Sequence, residues 1–323
     1  MVESYKISPI IYNIVRTQLT RPPHLELKAF ETELLRLHPE GILGLLFYGS
    51  CLRLGCSSDS IADLYVIVKD YQSFYNSVFL SLSNFLLPPN VFYLETCLGK
   101  EIIRLKYAVI SFDQLKRATS PLWFHSYFWA RFCQPMQLIY YQDEKVIEEV
   151  TKCICRAIYT FVSRVIPCLD EGFSVYELWT KGLQLTYMAE IRPESKSRAK
   201  SIWQVNKACF ERITPYVLSD IKKAKNQSIS KQNLEDHFCV KRYCHKIFSC
   251  IMPWSIRIII GKFLSVLRLV KAGFTFRGGV DYALWKIERH TGVRIKLGPF
   301  LRRHPILAML LTSWKLLIKK AIR

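Results

Sequence analysis

No CxxC pair occurs among the 11 cysteines, and their odd total is scattered along the chain. That pattern argues against a disulfide framework and points to a reducing compartment. The tightest cluster, Cys239, Cys244, His245 and Cys250, has the spacing of no standard zinc module, so these thiols read as small core residues. A secretory signal is missing as well: Glu3 comes early, and Lys6, Tyr12, Asn13 and Arg16 interrupt any apolar core, leaving an amphipathic helix as the better fit. Lys6, Arg16 and Arg21 would suit a mitochondrial presequence, against which Glu3 and the scarcity of serine count. No apolar run reads as membrane-spanning. Residues 253–270 are interrupted by Arg257, Lys262 and Arg268, and residues 305–314 are half the roughly 20 residues a bilayer requires. There is no internal repeat, no low-complexity tract and no RNA-recognition motif.

What is present is a chain of 323 residues, half of them apolar, enough for a sizeable core. Its charge of +20 is unevenly placed: residues 240–323 hold 18 Lys plus Arg against Asp281 and Glu288, which is +16 of the total. An anionic partner is therefore expected to meet the tail.

Apolar spacing at Leu27, Phe30, Leu34 and Leu37 predicts a helix over 26–37. A short apolar run over 42–48 predicts a buried strand that stops at Gly49-Ser50, and alternation over 61–68 predicts a second. Residues 71–85 read as a helix, 91–94 and 101–111 as a hairpin, and Asp113 as the cap of the helix after it. Helical periodicity runs from 144 to about 187 with a break at Gly172, and a further helix ends near Pro215. The lysine-rich stretch from 222 to 236 reads as a linker. Beyond it, Ile258, Ile259, Phe263, Val266, Leu267 and Val270 follow helical spacing, while Arg257, Arg268 and Lys271 fall on a common arc, the pattern of an interfacial helix.

The sharpest chemical signal is Phe47-Tyr48-Gly49-Ser50 followed by Asp59 and Asp63. Nucleotidyltransferases of the polymerase-beta type use a Gly-Ser turn after one strand to hold a triphosphate and a carboxylate on the next to hold Mg²⁺. The usual pattern has two carboxylates flanking one residue, whereas two positions after Asp63 this chain has Tyr65, so either a second metal ligand comes from elsewhere, Asp59 and Glu95 being the candidates, or the site is degenerate.

Several blocks in order resemble the mitochondrial-type phosphatidate cytidylyltransferases, also described as translocator maintenance proteins, and their bacterial relatives. Tyr48-Gly49-Ser50 is similar to that family's Tyr-Gly-Ser, and Ala62-Asp63-Leu64-Tyr65-Val66 to its strand with a single aspartate. Residues 91–93 and 103–111 resemble its hairpin, with Ala108 in place of the glycine of its Lys-Tyr-Gly motif. Residues 129–135 match a helix end at Arg131 and Pro135 and depart from it at Gln134, and residues 185–192 resemble a Tyr, acid and Arg block. Residues 274–280, 282–293 and 302–305 resemble a C-terminal extension of bacterial members.

The resemblance implies CTP and phosphatidate as substrates, CDP-diacylglycerol and pyrophosphate as products, and Mg²⁺ as cofactor. On that basis Asp63, Lys106 and Arg131 are expected to be catalytic, with Tyr48, Gly49, Ser50, Tyr107, Glu190 and Arg192 around the nucleotide and Asp63 with Asp59 at the metal. Trp254, Arg257, Lys262, Arg268, Lys271, Arg302 and Arg303 are expected to meet an anionic membrane surface, and no nucleic acid is expected. The implied location is peripheral, on the cytoplasmic face of an inner membrane or on the matrix side of the mitochondrial one.

The fold expected is α+β: a polymerase-beta-like mixed sheet with helices over 1–143, a mostly helical domain over 144–221, the linker over 222–236 and a basic amphipathic region over 237–323. From the residues alone, Lys106 reads equally as an edge lysine, Arg131 as half of a surface ion pair, and Phe124, His125, Phe128 and Trp129 as packing. The competing functional readings are a polynucleotide-type nucleotidyltransferase and a catalytically inactive membrane scaffold of the same fold.

Overall fold

The computed structural model describes residues 7–275 apart from 24, 55–59, 100, 192–194, 226–228, 232–236 and 241–246. The expectations resting on Asp59, Arg192, Cys244, His245, Arg302, Arg303 and the segment 276–323 lie outside the described residues.

Two helices, α1 (Pro9–Leu19) and α2 (Leu25–Leu37), precede β1 (Ile42–Tyr48), and α3 (Ser50–Leu54) leads to β2 (Ile61–Val68). Short α4 (Tyr71–Tyr75) and α5 (Val78–Leu86) come before the hairpin of β3 (Asn90–Leu98) and β4 (Glu101–Ser111). Then follow α6 (Phe112–Ala118), α7 (Trp129–Phe132) and β5 (Gln137–Tyr141). The second half holds α8 (Glu144–Val165), β6 (Gly172–Ser174), α9 (Val175–Met188), α10 (Ser195–Lys225), β7 (Ile229–Lys231), β8 (His237–Val240) and α11 (Met252–Thr275).

The class is α+β, as expected, around a five-stranded mixed sheet in the order β3-β4-β2-β1-β5. Only β2 and β4 run parallel; the other neighbours are antiparallel. Because successive side chains of a strand point to opposite faces, the sheet sorts its residues into two cores. Ala62, Leu64, Val66 and Val68 face α2 and α4, while Tyr65 and Ile67 face the helical half. A separate three-stranded sheet, β6-β8-β7, adds Phe173, Ile229, Phe238 and Val240 to the core of the helical half.

The helical half is held by burial around α8 and α9. Phe161 stacks on Trp179 at 4.8 Å, Trp179 stacks on Phe210 at 3.8 Å, and the indole donates to Thr214 Oγ1 at 2.9 Å. Each such fully buried aromatic contributes on the order of 1.5–3 kcal/mol. Asp143 caps α8, and Ser174 with Glu177 forms a reciprocal capping box at α9.

Several sequence expectations are corrected. Residues 71–85 form two helices, because Asn76 adopts φ 46° and ends the first while Ser77 caps the second. Ser111, rather than Asp113, caps α6, its hydroxyl accepting from the Gln114 amide. Helix α10 runs through Pro215: Ile213, Val217, Leu218 and Ile221 are buried around the lost hydrogen bond and packing carries the helix past it. The stretch read as a linker contains the end of α10 and all of β7. Strand β5, five residues after Pro135, had no signal of its own. Cys168 and Cys250 are joined in a disulfide spanning 82 residues, a pairing that spacing cannot reveal because only the tertiary fold sets it.

Gly182 of α9 lies against α8: a Cβ there would fall 2.4 Å from Phe161 Cζ and 2.6 Å from Val165 Cγ2. Gly182→Ala should therefore destabilise the protein by about 1–3 kcal/mol. Urea unfolding should show a lower midpoint at unchanged slope, and an unshifted midpoint would contradict this helix spacing.

Candidate functional site

At the end of β1 the backbone turns through Gly49 at φ 92°, a conformation that L side chains rarely adopt. The register pairs Tyr48 with Asp63, Asp63 with Lys106, and Lys106 with Tyr93 across four strands. Paired residues share a face, so these four line one row on the side covered by the helical half. Asp63 leans onto the turn: a Cβ at position 49 would lie 2.8 Å from its Oδ2. Its Oδ1 pairs with Lys106 Nζ at 2.7 Å, both side chains being partly exposed. One row further along, Glu95 accepts from Tyr93 Oη at 2.7 Å and from Arg104 Nε at 3.2 Å.

A second charged pair closes on this row from the helical half. Arg131 of α7 binds Glu190, just beyond α9, at 2.8 Å, and both side chains are largely buried. The same guanidinium donates to Tyr127 O and lies 3.8 Å from the centre of the Tyr127 ring. Burial works against its charge, but Glu190 and the hydroxyls of Tyr127, Tyr65 and Tyr48 more than offset that and raise its pKa. Tyr48 connects the two pairs: burial above all raises its hydroxyl pKa, and it also feels Tyr65, Asp63 and Arg131.

Tyr65 explains the missing second carboxylate. It faces the same way as Asp63 but is 1 % exposed, with its ring 5.0 Å from Tyr48 and 4.9 Å from Phe132. A carboxylate there would be buried among aromatic rings, so the position serves the core.

The structure brings Tyr48, Gly49, Ser50, Asp63, Lys106, Arg131 and Glu190 into one neighbourhood. Tyr107 lies outside it. Next to Lys106 on the strand, it points through the opposite face of the sheet and stacks on Phe92 at 5.3 Å, away from the row. Tyr127, Tyr93, Arg104 and, from α11, Arg268 join the surroundings without having been singled out for them. For Tyr93 and Arg104, the alternation of the hairpin with Lys106 as reference was a usable signal.

The tail helix also departs from expectation. Trp254 and Arg257 are 3 % and 2 % exposed, and Trp254 Nε1 donates to Arg164 O at 3.1 Å. Arg257 Nε donates to Phe124 O at 2.7 Å, with its guanidinium among the rings of Phe124, Trp129 and Trp254. Lys271 Nζ donates to Pro89 O and Asn90 Oδ1 at 3.0 and 2.8 Å. The arc of cations therefore grips the protein body, since buried charges require partners that water no longer supplies, and of the four described cations named for membrane contact only Lys262 is exposed. The segment Phe248–Thr275 is, by length and composition, long and apolar enough to cross a membrane, which the shorter window read from the sequence was not.

Among the described residues no group of three or more His, Cys, Asp or Glu gathers to hold a metal. The Asp63 carboxylate beside the Gly49 turn is a single hard oxygen donor, the kind of ligand of which Mg²⁺ commonly takes one or two together with substrate phosphates and water. A cavity of about 410 Å³ beside α1 and α10, lined in part by Arg21, Pro135 and Arg212, includes none of Tyr48, Gly49, Asp63, Lys106, Arg131 and Glu190. No protein-family model matches this chain, and no curated protein matches it.

His125 borders this site, its ring 4.9 Å from that of Trp123 and its buried Nδ1 without a hydrogen-bond partner among the described residues. Burial, then Arg268 and Arg257, lower its pKa to about 3. The unfolded chain, with a histidine pKa of about 6.5, takes up a proton that the folded protein refuses, so stability should fall as pH drops below that value, by at most about 1.4 kcal/mol per pH unit. Urea titrations between neutral and mildly acidic pH should show this slope in the wild type and a shallower one in His125→Gln; equal slopes would place the ring in solvent.

Proposed function

We propose that the protein is a nucleotidyltransferase of polymerase-beta-like fold that transfers a cytidylyl group from CTP to phosphatidate at a membrane surface. The observation that carries this reading is the contact of the Asp63 carboxylate with the Gly49 turn, flanked by Lys106 on the same face of the sheet. A triphosphate lying along the turn would meet the first N–H groups of α3, which have no intrahelical partner in any helix, and the Ser50 hydroxyl. Asp63 would hold Mg²⁺, which supplies charge neutralisation at the phosphates when bound.

The reaction is a substitution at the α-phosphorus. A phosphatidate oxygen forms a new bond to it, the bond to the bridging oxygen of the β-phosphate breaks, and pyrophosphate leaves with that electron pair. Such transfers depend on alignment and on neutralising charge more than on covalent help from the protein. Lys106, paired with Asp63, would follow the charge to the phosphates, and Arg131, held by Glu190, would bind a further phosphate oxygen.

One observation favours the inactive-scaffold reading: Lys106 already neutralises Asp63, as a lysine would in a fold that had given up its metal. Purified protein with Mg²⁺ and phosphatidate, offered each of the four nucleoside triphosphates, decides between them. Pyrophosphate release with CTP alone is the expected result. Asp63→Asn should lower it at least about a thousandfold, the scale of losing an essential electrostatic contact to the transition state. Release by none of the four would leave the scaffold, and equal release by the variant would remove Asp63 from the chemistry.

A further inference from the structure

Arg131 is not alone over the Tyr127 ring. The guanidinium of Arg268, reaching in from α11, lies 4.0 Å from the same ring centre, and its Nε donates to Pro88 O at 2.8 Å. Arg268 has no acidic partner among the described residues, and the one carboxylate nearby, Glu190, is bound to Arg131. Lys271, one turn on, adds a third cation, spent on the carbonyls of Leu87 and Pro89 and the Asn90 side chain. Burial, then Arg268, lowers the Lys271 pKa to about 7. Two arginines and a lysine that is only partly protonated at neutral pH, set against one carboxylate under partial cover, leave positive charge that an anion would stabilise.

The other side of the same helix is apolar and bare. Phe263, Val270 and Phe274 of α11 are 57–66 % exposed, and Phe79, Leu82 and Phe85 of α5 are 53–60 % exposed. Lys271 and Arg268 bind the turn that ends α5, so the two apolar faces flank the cationic cluster. Large bare apolar surface is costly in water and marks a contact with something apolar. A molecule with an anionic head and long hydrocarbon chains matches both halves.

We infer that Arg268, which shares the Tyr127 ring with Arg131, receives the phosphomonoester of the lipid acceptor while the exposed faces of α5 and α11 take its acyl chains, with Lys271 as a positioning residue that pins α11 in place. This assigns an acceptor site within the proposed lipid-phosphate transfer and rests on that reading.

The test uses the full chain with phosphatidylcholine vesicles doped with either phosphatidate or phosphatidylglycerol at matched surface charge. The wild type should float preferentially with phosphatidate. Arg268→Gln should lose that preference by about tenfold or more, the scale of a charge-assisted hydrogen bond, and the paired Phe263→Ser and Val270→Ser variant should weaken binding to both vesicles alike. Should Arg268→Gln unfold, Arg268→Lys keeps the charge without the fork and should retain only part of the preference. An unchanged preference in a folded Arg268 variant overturns the site. So does complete release from phosphatidate vesicles by glycerol 3-phosphate, which would assign the cations to a soluble phosphate. Vesicle preference is read without turnover, so a protein that selects phosphatidate through Arg268 yet releases no pyrophosphate from CTP would keep this site and lose the transfer reaction.

Discussion

Where β1 ends, no side chain fits. A Cβ at position 49 would press on the Asp63 carboxylate, and the backbone there takes a left-handed turn that favours glycine. This close approach depends on register: β1 and β2 are aligned so that Tyr48 faces Asp63, and β2 and β4 so that Asp63 faces Lys106. A slip of one residue in β2 would turn the carboxylate through the sheet into the apolar layer under α2. The remaining charged groups are arranged around that constraint, with Arg131 and Glu190 brought down from the helical half and Tyr48 between the two pairs.

Helix α11 reverses the usual reading of an amphipathic basic helix. Cations facing outward would bind a surface by long-range attraction, whereas here Arg257, Arg268 and Lys271 are turned inward onto carbonyls and aromatic rings and the apolar residues are left outside. A buried guanidinium without an acid is stabilised only in part by carbonyls and ring faces. The arrangement is therefore costly unless the helix has a reason to bring charge to the sheet and hydrocarbon to the exterior.

Much of the sheet was legible in advance. Strands 42–48 and 61–68 carry a continuous apolar run and a clean alternation, and their observed limits are Ile42–Tyr48 and Ile61–Val68. The Gly-Ser turn and Asp63 could be singled out because glycine and an inward carboxylate are both unusual in such strands. Strand β5 was not legible, since five residues after a proline exist as a strand only by pairing with β1. Tyr107 was misplaced because adjacency in sequence to Lys106 means opposition in a strand. The direction of the α11 cations was invisible for a related reason: periodicity defines an arc on a helix but not which side of that arc meets the protein.

By itself, then, the sequence determined the α+β class, the inner strands, the Gly49 turn with its aspartate and the concentration of charge after residue 240, all of which can be read from the order and composition of contiguous stretches of chain. Tertiary structure alone decided that Lys106 pairs with Asp63, that Glu190 pairs with Arg131, that Cys168 meets Cys250 and that Arg268 lies over Tyr127. Those contacts join residues from 43 to 141 positions apart, and no local propensity encodes a distance that only the packing of whole elements sets.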